Sequence, residues 1–296
     1  MNYLQIIKYK NLALIAFIQI IIRYGFLKQQ NVWQSLTDFQ FGLLVFSTIC
    51  IAGGYYVINA LFDDRIDFSN SKISETNAYY FYAILSIIGV IIGMYLSNVV
   101  QKPGFIALFI FMVALGYFHA TTLKEIVAIK LLVKPLIASF SILIIPVFDL
   151  YPATYDENRR VMTLLFSILK DYAIFVFIIM FIRELISDLI QNKNNASSVQ
   201  NFIGFKKTTY LICLLIIAPT LYLVYYTLIY LLENNLITSV IYMSIAVLSP
   251  LFICLVKTIN AKESKDYIQI NSYLKYILIL GIFSIVIITF NIQHNV

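Results

Sequence analysis

The chain has 296 residues, of which 61% are hydrophobic and 12% are charged. Its mean hydropathy of +0.86 excludes a soluble globular domain and indicates a polytopic helical membrane protein. The net charge of +6 does not indicate a nucleic-acid partner, because the basic residues lie in short loops between apolar runs rather than in one patch.

Nine apolar segments are long enough to cross a bilayer, whose hydrocarbon core takes about 20 helical residues. We therefore predict an all-α fold, in which a single membrane domain over residues 1–296 forms a bundle of about nine transmembrane helices. The sixth segment is the least regular, because Lys170 and Asp171 interrupt it. The predicted segments are 11–27, 41–62, 78–99, 104–119, 130–148, 164–186, 208–232, 238–256 and 274–291.

The distribution of lysine and arginine predicts the orientation of this bundle. With a cytoplasmic N-terminus, most of the 21 basic residues fall in cytoplasmic loops, as the positive-inside rule requires. The basic residues elsewhere are Arg23, Lys28, Lys102, Arg159 and Arg160 in outer loops and Lys134 and Lys170 within segments. We therefore predict a cytoplasmic N-terminus for this multi-pass membrane protein.

The second segment ends in a polar cluster, Asn59, Asp63 and Asp67, in the run NALFDDRID. The spacing of four residues would place all three side chains near one face of a continuing helix. Acids beside a bilayer are costly unless they meet water, a cation or a partner. The spacing therefore indicates a cation site, whereas Asp64 alone is typical of an ordinary interfacial charge.

A second acidic pair, Glu184 and Asp188, ends the sixth segment on the same predicted side of the membrane. We expect both clusters to face one cavity and to hold a divalent cation, which the negative end of each helix dipole favours. Mg²⁺ is usually held by a few carboxylates together with substrate phosphates, so a lipid diphosphate is the expected cargo. The alternative for Glu184 is an ion pair with Arg183 or with a lysine.

These motifs resemble those of the UbiA superfamily of intramembrane prenyltransferases. The family's first motif has the form N-D-x-x-D-x-x-x-D, its second opens R-E-x-x-x-D, and a lysine follows the fourth helix in a Tyr…Leu-Lys context. The matching residues are Asn59, Asp63 and Asp67 for the first motif, Arg183, Glu184 and Asp188 for the second, and Tyr117, Leu123 and Lys124 for the third.

The resemblance implies Mg²⁺-dependent transfer of a polyprenyl group from a prenyl diphosphate to an acceptor within the membrane. It assigns Mg²⁺ to Asp63, Asp67, Glu184 and Asp188, substrate binding to Asn59, Arg65, Lys72, Lys124 and Arg183, and catalysis to Asp63, Asp67 and Lys124. The first segment loosely resembles bacterial members that transfer geranylgeranyl groups to glycerol phosphate lipids. This likeness implies a bacterial inner membrane, while aromatic quinone precursors stay open as acceptors. The distribution of basic residues predicts that the active site faces the cytoplasm.

The sequence departs from the family pattern at several acids. Ala60 replaces an aspartate of the first motif, and Gln191 and Asn195 replace acids that normally continue the second. The second cluster is therefore predicted to bind metal weakly or to act through amide hydrogen bonds. The alternatives are another enzyme of lipid-linked phosphates, an inactive relative, or a transporter, although a transporter would be expected to carry its charges within the spans.

Overall fold

The structure is a computed structural model that describes residues 2–63, 68, 73–191, 199–261 and 263–294. In these ranges the chain forms helices and turns without a β-strand. The α-helices are α1 (Tyr3–Ile6), α2 (Tyr9–Ile20), α3 (Asp38–Leu61), α4 (Glu75–Val99), α5 (Ile106–Thr121), α6 (Val127–Asp149), α7 (Arg159–Gln191), α8 (Val199–Ile203), α9 (Phe205–Tyr226), α10 (Ile237–Tyr242), α11 (Ser249–Asn260) and α12 (Ser264–His294).

Short helical pieces of other geometry extend or join these helices. Some are π-helical and directly continue α2, α9 and α10, so that one membrane span consists of more than one helical piece. The others are 3₁₀ turns. The π-helical pieces are Ile21–Phe26, Thr227–Leu232 and Met243–Leu248, and the 3₁₀ pieces are Leu27–Gln30, Pro103–Phe105 and Leu123–Glu125.

Within the described ranges, nine helices are long and apolar enough to cross a membrane, which confirms the predicted all-α membrane architecture. The sixth span differs from its prediction, because Lys170 and Asp171 lie inside the continuous 33-residue helix α7. The cytoplasmic N-terminus stays a prediction. The spans are Tyr9–Gln30, Asp38–Leu61, Glu75–Val99, Pro103–Thr121, Ile129–Asp149, Arg159–Ile190, Phe205–Leu232, Ile237–Asn260 and Lys265–His294.

The chain divides into two compact units, each continuous in space but not in sequence. The first unit contains Met1–Ile20, Val32–Val133 and Ile137–Lys170, and the second contains Ile21–Asn31, Lys134–Leu136 and Asp171–Val296.

The first unit is built around α3, which packs against α4 and α5. Its first turn is fixed by a capping box, in which the Thr37 hydroxyl accepts from the Gln40 N–H while the Gln40 side chain accepts from the Thr37 N–H. Further along, the Thr48 hydroxyl donates to the Gln19 side chain at 2.8 Å, and the Gln19 amide donates to the Ser141 carbonyl at 2.8 Å. These bonds satisfy polar groups inside the spans, where no water is available to do so.

The second unit joins α7, α9 and α12 through hydroxyl groups. The Tyr172 and Ser284 hydroxyls hydrogen-bond at 2.8 Å between α7 and α12, and the Thr209 and Tyr267 hydroxyls do so at 2.9 Å between α9 and α12. Gly281 of α12 lies against the ring of Phe175 on α7, with no room for a side chain. Small residues at such crossings let membrane helices approach closely.

Replacing Gly93 by alanine should destabilise the first unit. A Cβ atom there would lie 2.5 Å from the Phe109 ring, and overpacking of this kind typically costs about 1–3 kcal/mol. The midpoint of thermal unfolding in detergent should fall for Gly93→Ala. Gly42→Ala is the matched control, because nothing lies within 4 Å of the added methyl group in the same unit; an equal fall in both variants would contradict this packing.

Candidate functional site

The first polar cluster begins at the C-terminal end of α3. Asn59 lies in the last turn and is partly exposed, Phe62 is the C-cap, and Asp63 follows outside the helix, also partly exposed. The cluster therefore lies at a helix C-terminus, as predicted. The prediction that one helical face continues through Asp63 is wrong, because α3 ends at Leu61.

Lys124 binds the end of α3. Its ammonium group donates to the carbonyl of Phe62, the C-cap residue, at 2.6 Å. A cation at the last carbonyls also interacts favourably with the helix dipole. The structure therefore places the predicted lysine beside the first motif, one residue before Asp63.

Two apolar side chains that follow the first motif in the sequence are packed against α3. Phe68 and Ile73 are buried in a cluster with Val57 and Ala60 of α3 and with Ala78 of α4. The predicted site residues Arg65, Asp67 and Lys72 lie outside the described residues, so their roles stay predictions.

A buried histidine links the helices around this cluster. The His119 ring on α5 contacts the Tyr55 hydroxyl of α3 through Nδ1 at 3.3 Å and the Lys130 carbonyl of α6 through Nε2 at 3.2 Å. A carbonyl only accepts, so Nε2 carries the proton and Nδ1 accepts from Tyr55. Tyr55 lies one turn before Asn59, and the contact therefore fixes the part of α3 that carries the motif.

The second polar cluster lies in the last turns of α7, within the second unit. Arg183 donates through Nε to the Asn271 side chain of α12 at 2.9 Å. This bond orients the guanidinium group along the α7–α12 contact. Asn271 was not recognised in the sequence, since a single asparagine in an apolar helix gives no spacing to read.

Glu184 forms an ion pair with a lysine, which is one of the alternatives that the sequence left open for this residue. The Lys134 ammonium of α6 lies 2.6 Å from Glu184 Oε2, with 30% of the lysine side chain and 17% of the glutamate side chain exposed. Both residues belong to the second unit. The available signal was the position of Lys134 itself, because a lysine inside an apolar span requires a partner or water.

Asp188 is buried, at 4% exposure. Its Oδ2 accepts from the backbone N–H of Val199, the first residue of α8, at 2.8 Å. Asp188 therefore connects the end of α7 to the first residue of α8. Gln191 is the last residue of α7, and Asn195 lies outside the described residues.

The two clusters differ in how well they suit Mg²⁺. At the first, Asp63 presents a partly exposed carboxylate at the negative end of α3, which suits a cation. At the second, one oxygen of Glu184 and one of Asp188 already accept from donors of the chain itself. Among the described residues, no three histidine, cysteine or acidic side chains converge as a metal site. Metal binding by Glu184 and Asp188 stays a prediction that this geometry does not favour.

No family model and no curated protein sequence matches this chain. A solved structure of a digeranylgeranylglyceryl phosphate synthase in membranes matches it over 98% of both chains, with a TM-score of 0.64 and 19% sequence identity. A likeness of this extent defines a polytopic membrane protein with a UbiA-like fold. The fold implied by the sequence motifs is therefore confirmed.

Replacing Asp188 by alanine should destabilise the protein whether or not it binds metal. The Val199 N–H would lose its acceptor, and an unsatisfied buried donor costs about 1–3 kcal/mol. Asp188→Asn keeps an oxygen acceptor and should retain most of the thermal stability. Thermal unfolding of the two variants in detergent tests this role, and equal stability of Asp188→Ala and the wild type would contradict it.

Proposed function

We propose that this protein is an intramembrane prenyltransferase, which transfers a polyprenyl group from a prenyl diphosphate to an acceptor. The observation that carries the proposal is the first cluster, in which Lys124 is fixed beside Asn59 and Asp63 on a UbiA-like fold. The family resemblance assigns these positions to the diphosphate and its cation. A cation and an acid at one helix end suit a bound anion that also carries a divalent ion.

The proposed reaction breaks the bond between the first prenyl carbon and a diphosphate oxygen. The bonding electrons leave with the diphosphate, the acceptor nucleophile forms a new bond to the carbon, and the acceptor's proton is released. Lys124 provides positive charge for the diphosphate, and the family resemblance also assigns Arg65, Lys72 and Arg183 to substrate binding. Aromatic side chains can shield a developing allylic cation through cation–π attraction of about 0.5–2 kcal/mol each.

Mg²⁺ is the proposed cofactor, with Asp63 and Asp67 as its ligands. When bound, the ion would neutralise the leaving diphosphate. The chain's own contribution is to hold Lys124 at the end of α3, where it binds the carbonyl of Phe62, the residue before Asp63. We also propose that this site opens toward the cytoplasm of a bacterial inner membrane, in accordance with the distribution of basic residues.

Asp63→Ala and Asp67→Ala should each lower prenyl transfer by at least about 100-fold, because loss of a metal carboxylate removes several kcal/mol of charge stabilisation. Both variants should remain folded, since neither substitution opens a cavity in the packed spans. Asp64→Ala is the matched control, because the family pattern places no acid at this position. Equal loss in all three variants, or loss through misfolding, would contradict the assignment.

The acceptor is the part of the proposal with the least support. We propose a glycerol phosphate lipid, because the first span resembles members that use one. Purified protein should release a labelled product when radiolabelled prenyl diphosphates of several lengths are mixed with Mg²⁺ and this acceptor. Hydroxybenzoate and dihydroxynaphthoate form the comparison panel, and a product with either one instead of the lipid would reassign the acceptor.

One observation favours a transporter as the second candidate. The Lys134–Glu184 pair places charge within the spans, where ionisable residues often mark a substrate path. The same product assay separates the two functions, because detergent micelles have no second compartment. A covalent prenyl product in detergent excludes transport as an explanation, whereas unchanged substrates that accumulate only in vesicles would support it.

A further inference from the structure

The second cluster already contains a cation supplied by the chain. Lys134 lies at 2.6 Å from Glu184 Oε2, and a carboxylate inside a span needs such a partner or water. Mg²⁺ on the same oxygen would lie only about 2.1 Å from it. A metal ion on either oxygen of Glu184 would therefore lie close to the ammonium group, and the two positive charges would repel each other.

The rest of the cluster also disfavours a metal. Mg²⁺ requires near-octahedral coordination by several oxygens, but Oδ2 of the buried Asp188 is committed to the Val199 N–H. The sequence places Gln191 and Asn195 where the family pattern has further acids. With fewer carboxylates and an added lysine, the cluster carries much less negative charge than a Mg²⁺ site of this type.

Lys134 is also able to bind an anion. An ammonium group has three N–H donors, and the ion pair with Glu184 uses one. The side chain is 30% exposed, so the group is not sealed within the protein. Pro135, the next residue, lies inside α6 and has no N–H for the carbonyl of Leu131, so one backbone hydrogen bond of the helix is missing beside the ion pair.

We propose that Lys134 takes the place of a metal ion at the second cluster: its ammonium group neutralises Glu184 and binds the substrate's diphosphate directly. This inference rests on the proposed prenyl transfer, and it limits the Mg²⁺ requirement to the first cluster. The anion recognised is a diphosphate group, whether free or attached to a prenyl chain.

Binding without metal tests this role. The probe is farnesyl S-thiolodiphosphate, a prenyl diphosphate analogue that resists ionisation, titrated calorimetrically into the purified protein in detergent with EDTA or with Mg²⁺. The wild type should bind it in EDTA, and Lys134→Met should bind at least about tenfold more weakly, as expected for one lost charge-assisted hydrogen bond. Inorganic diphosphate, titrated in parallel, should show the same loss if the headgroup is recognised.

Restoration by Mg²⁺ separates anion binding from a structural role. In Lys134→Met the released Glu184 can accept a metal ion, so Mg²⁺ should restore most of the lost affinity. The double variant Lys134→Met/Glu184→Gln has no unpaired charge, yet it should bind weakly in EDTA and regain less affinity with Mg²⁺. If Lys134 only neutralised Glu184, the double variant would bind like the wild type, and the proposal would be wrong.

Lys170→Met is the matched control, since it removes an exposed lysine from the helix that carries Glu184; it should bind like the wild type. Equal affinity of the wild type and Lys134→Met in EDTA would overturn the inference while leaving prenyl transfer intact. Failure of the wild type to bind either probe, with or without Mg²⁺, would instead overturn the proposed function and this inference with it. Gel filtration of each variant confirms that it is folded.

Discussion

Charge within a bilayer has to be neutralised or hydrated, and this constraint determines how both polar sites of the protein are built. Each site has a lysine whose ammonium group meets an acceptor of the chain at 2.6 Å. Lys124 meets the backbone carbonyl of Phe62, and Lys134 meets the carboxylate of Glu184. The acceptor of Lys124 lies at the end of α3, and the acceptor of Lys134 lies in the last turns of α7.

The two acceptors differ in whether they cancel the positive charge of the lysine that they bind. A carbonyl is neutral, so Lys124 keeps its full charge beside Asp63 and can also attract an anion. A carboxylate cancels the charge of Lys134, and the Lys134–Glu184 pair is neutral overall. A neutral pair has a smaller desolvation cost than two separate charges, but removing either partner leaves an uncompensated charge in a poorly hydrated site. The second cluster therefore contains an ion pair whose charges cancel, whereas the bond of Lys124 to Phe62 involves a neutral acceptor.

The helical membrane architecture could be predicted from the sequence, because a span in lipid has to be about 20 apolar residues long. The length of each apolar segment can be read directly from the hydropathy of the sequence. The sequence was also sufficient for the position of Lys124, whose motif places it after the fourth span. It was not sufficient for the end of α3 at Leu61, where the carbonyl of the C-cap residue binds a lysine 62 residues away. It left open which basic residue pairs with Glu184 and did not indicate Val199 as the partner of Asp188, since helix packing rather than sequence spacing brings these residues together.

The departures of the second cluster from the family pattern all change its charge in the same direction. Two acids of the second motif are replaced by Gln191 and Asn195, and Lys134 pairs with the glutamate that remains. Each change makes the cluster less negative, and a Mg²⁺ ion added to it would face fewer ligands and a nearby positive charge. An ammonium group attached to a helix is always present and requires no ligand shell, but it supplies one charge where Mg²⁺ supplies two. In the proposed arrangement the second cluster therefore contributes a single fixed positive charge to diphosphate binding and needs no metal ion of its own.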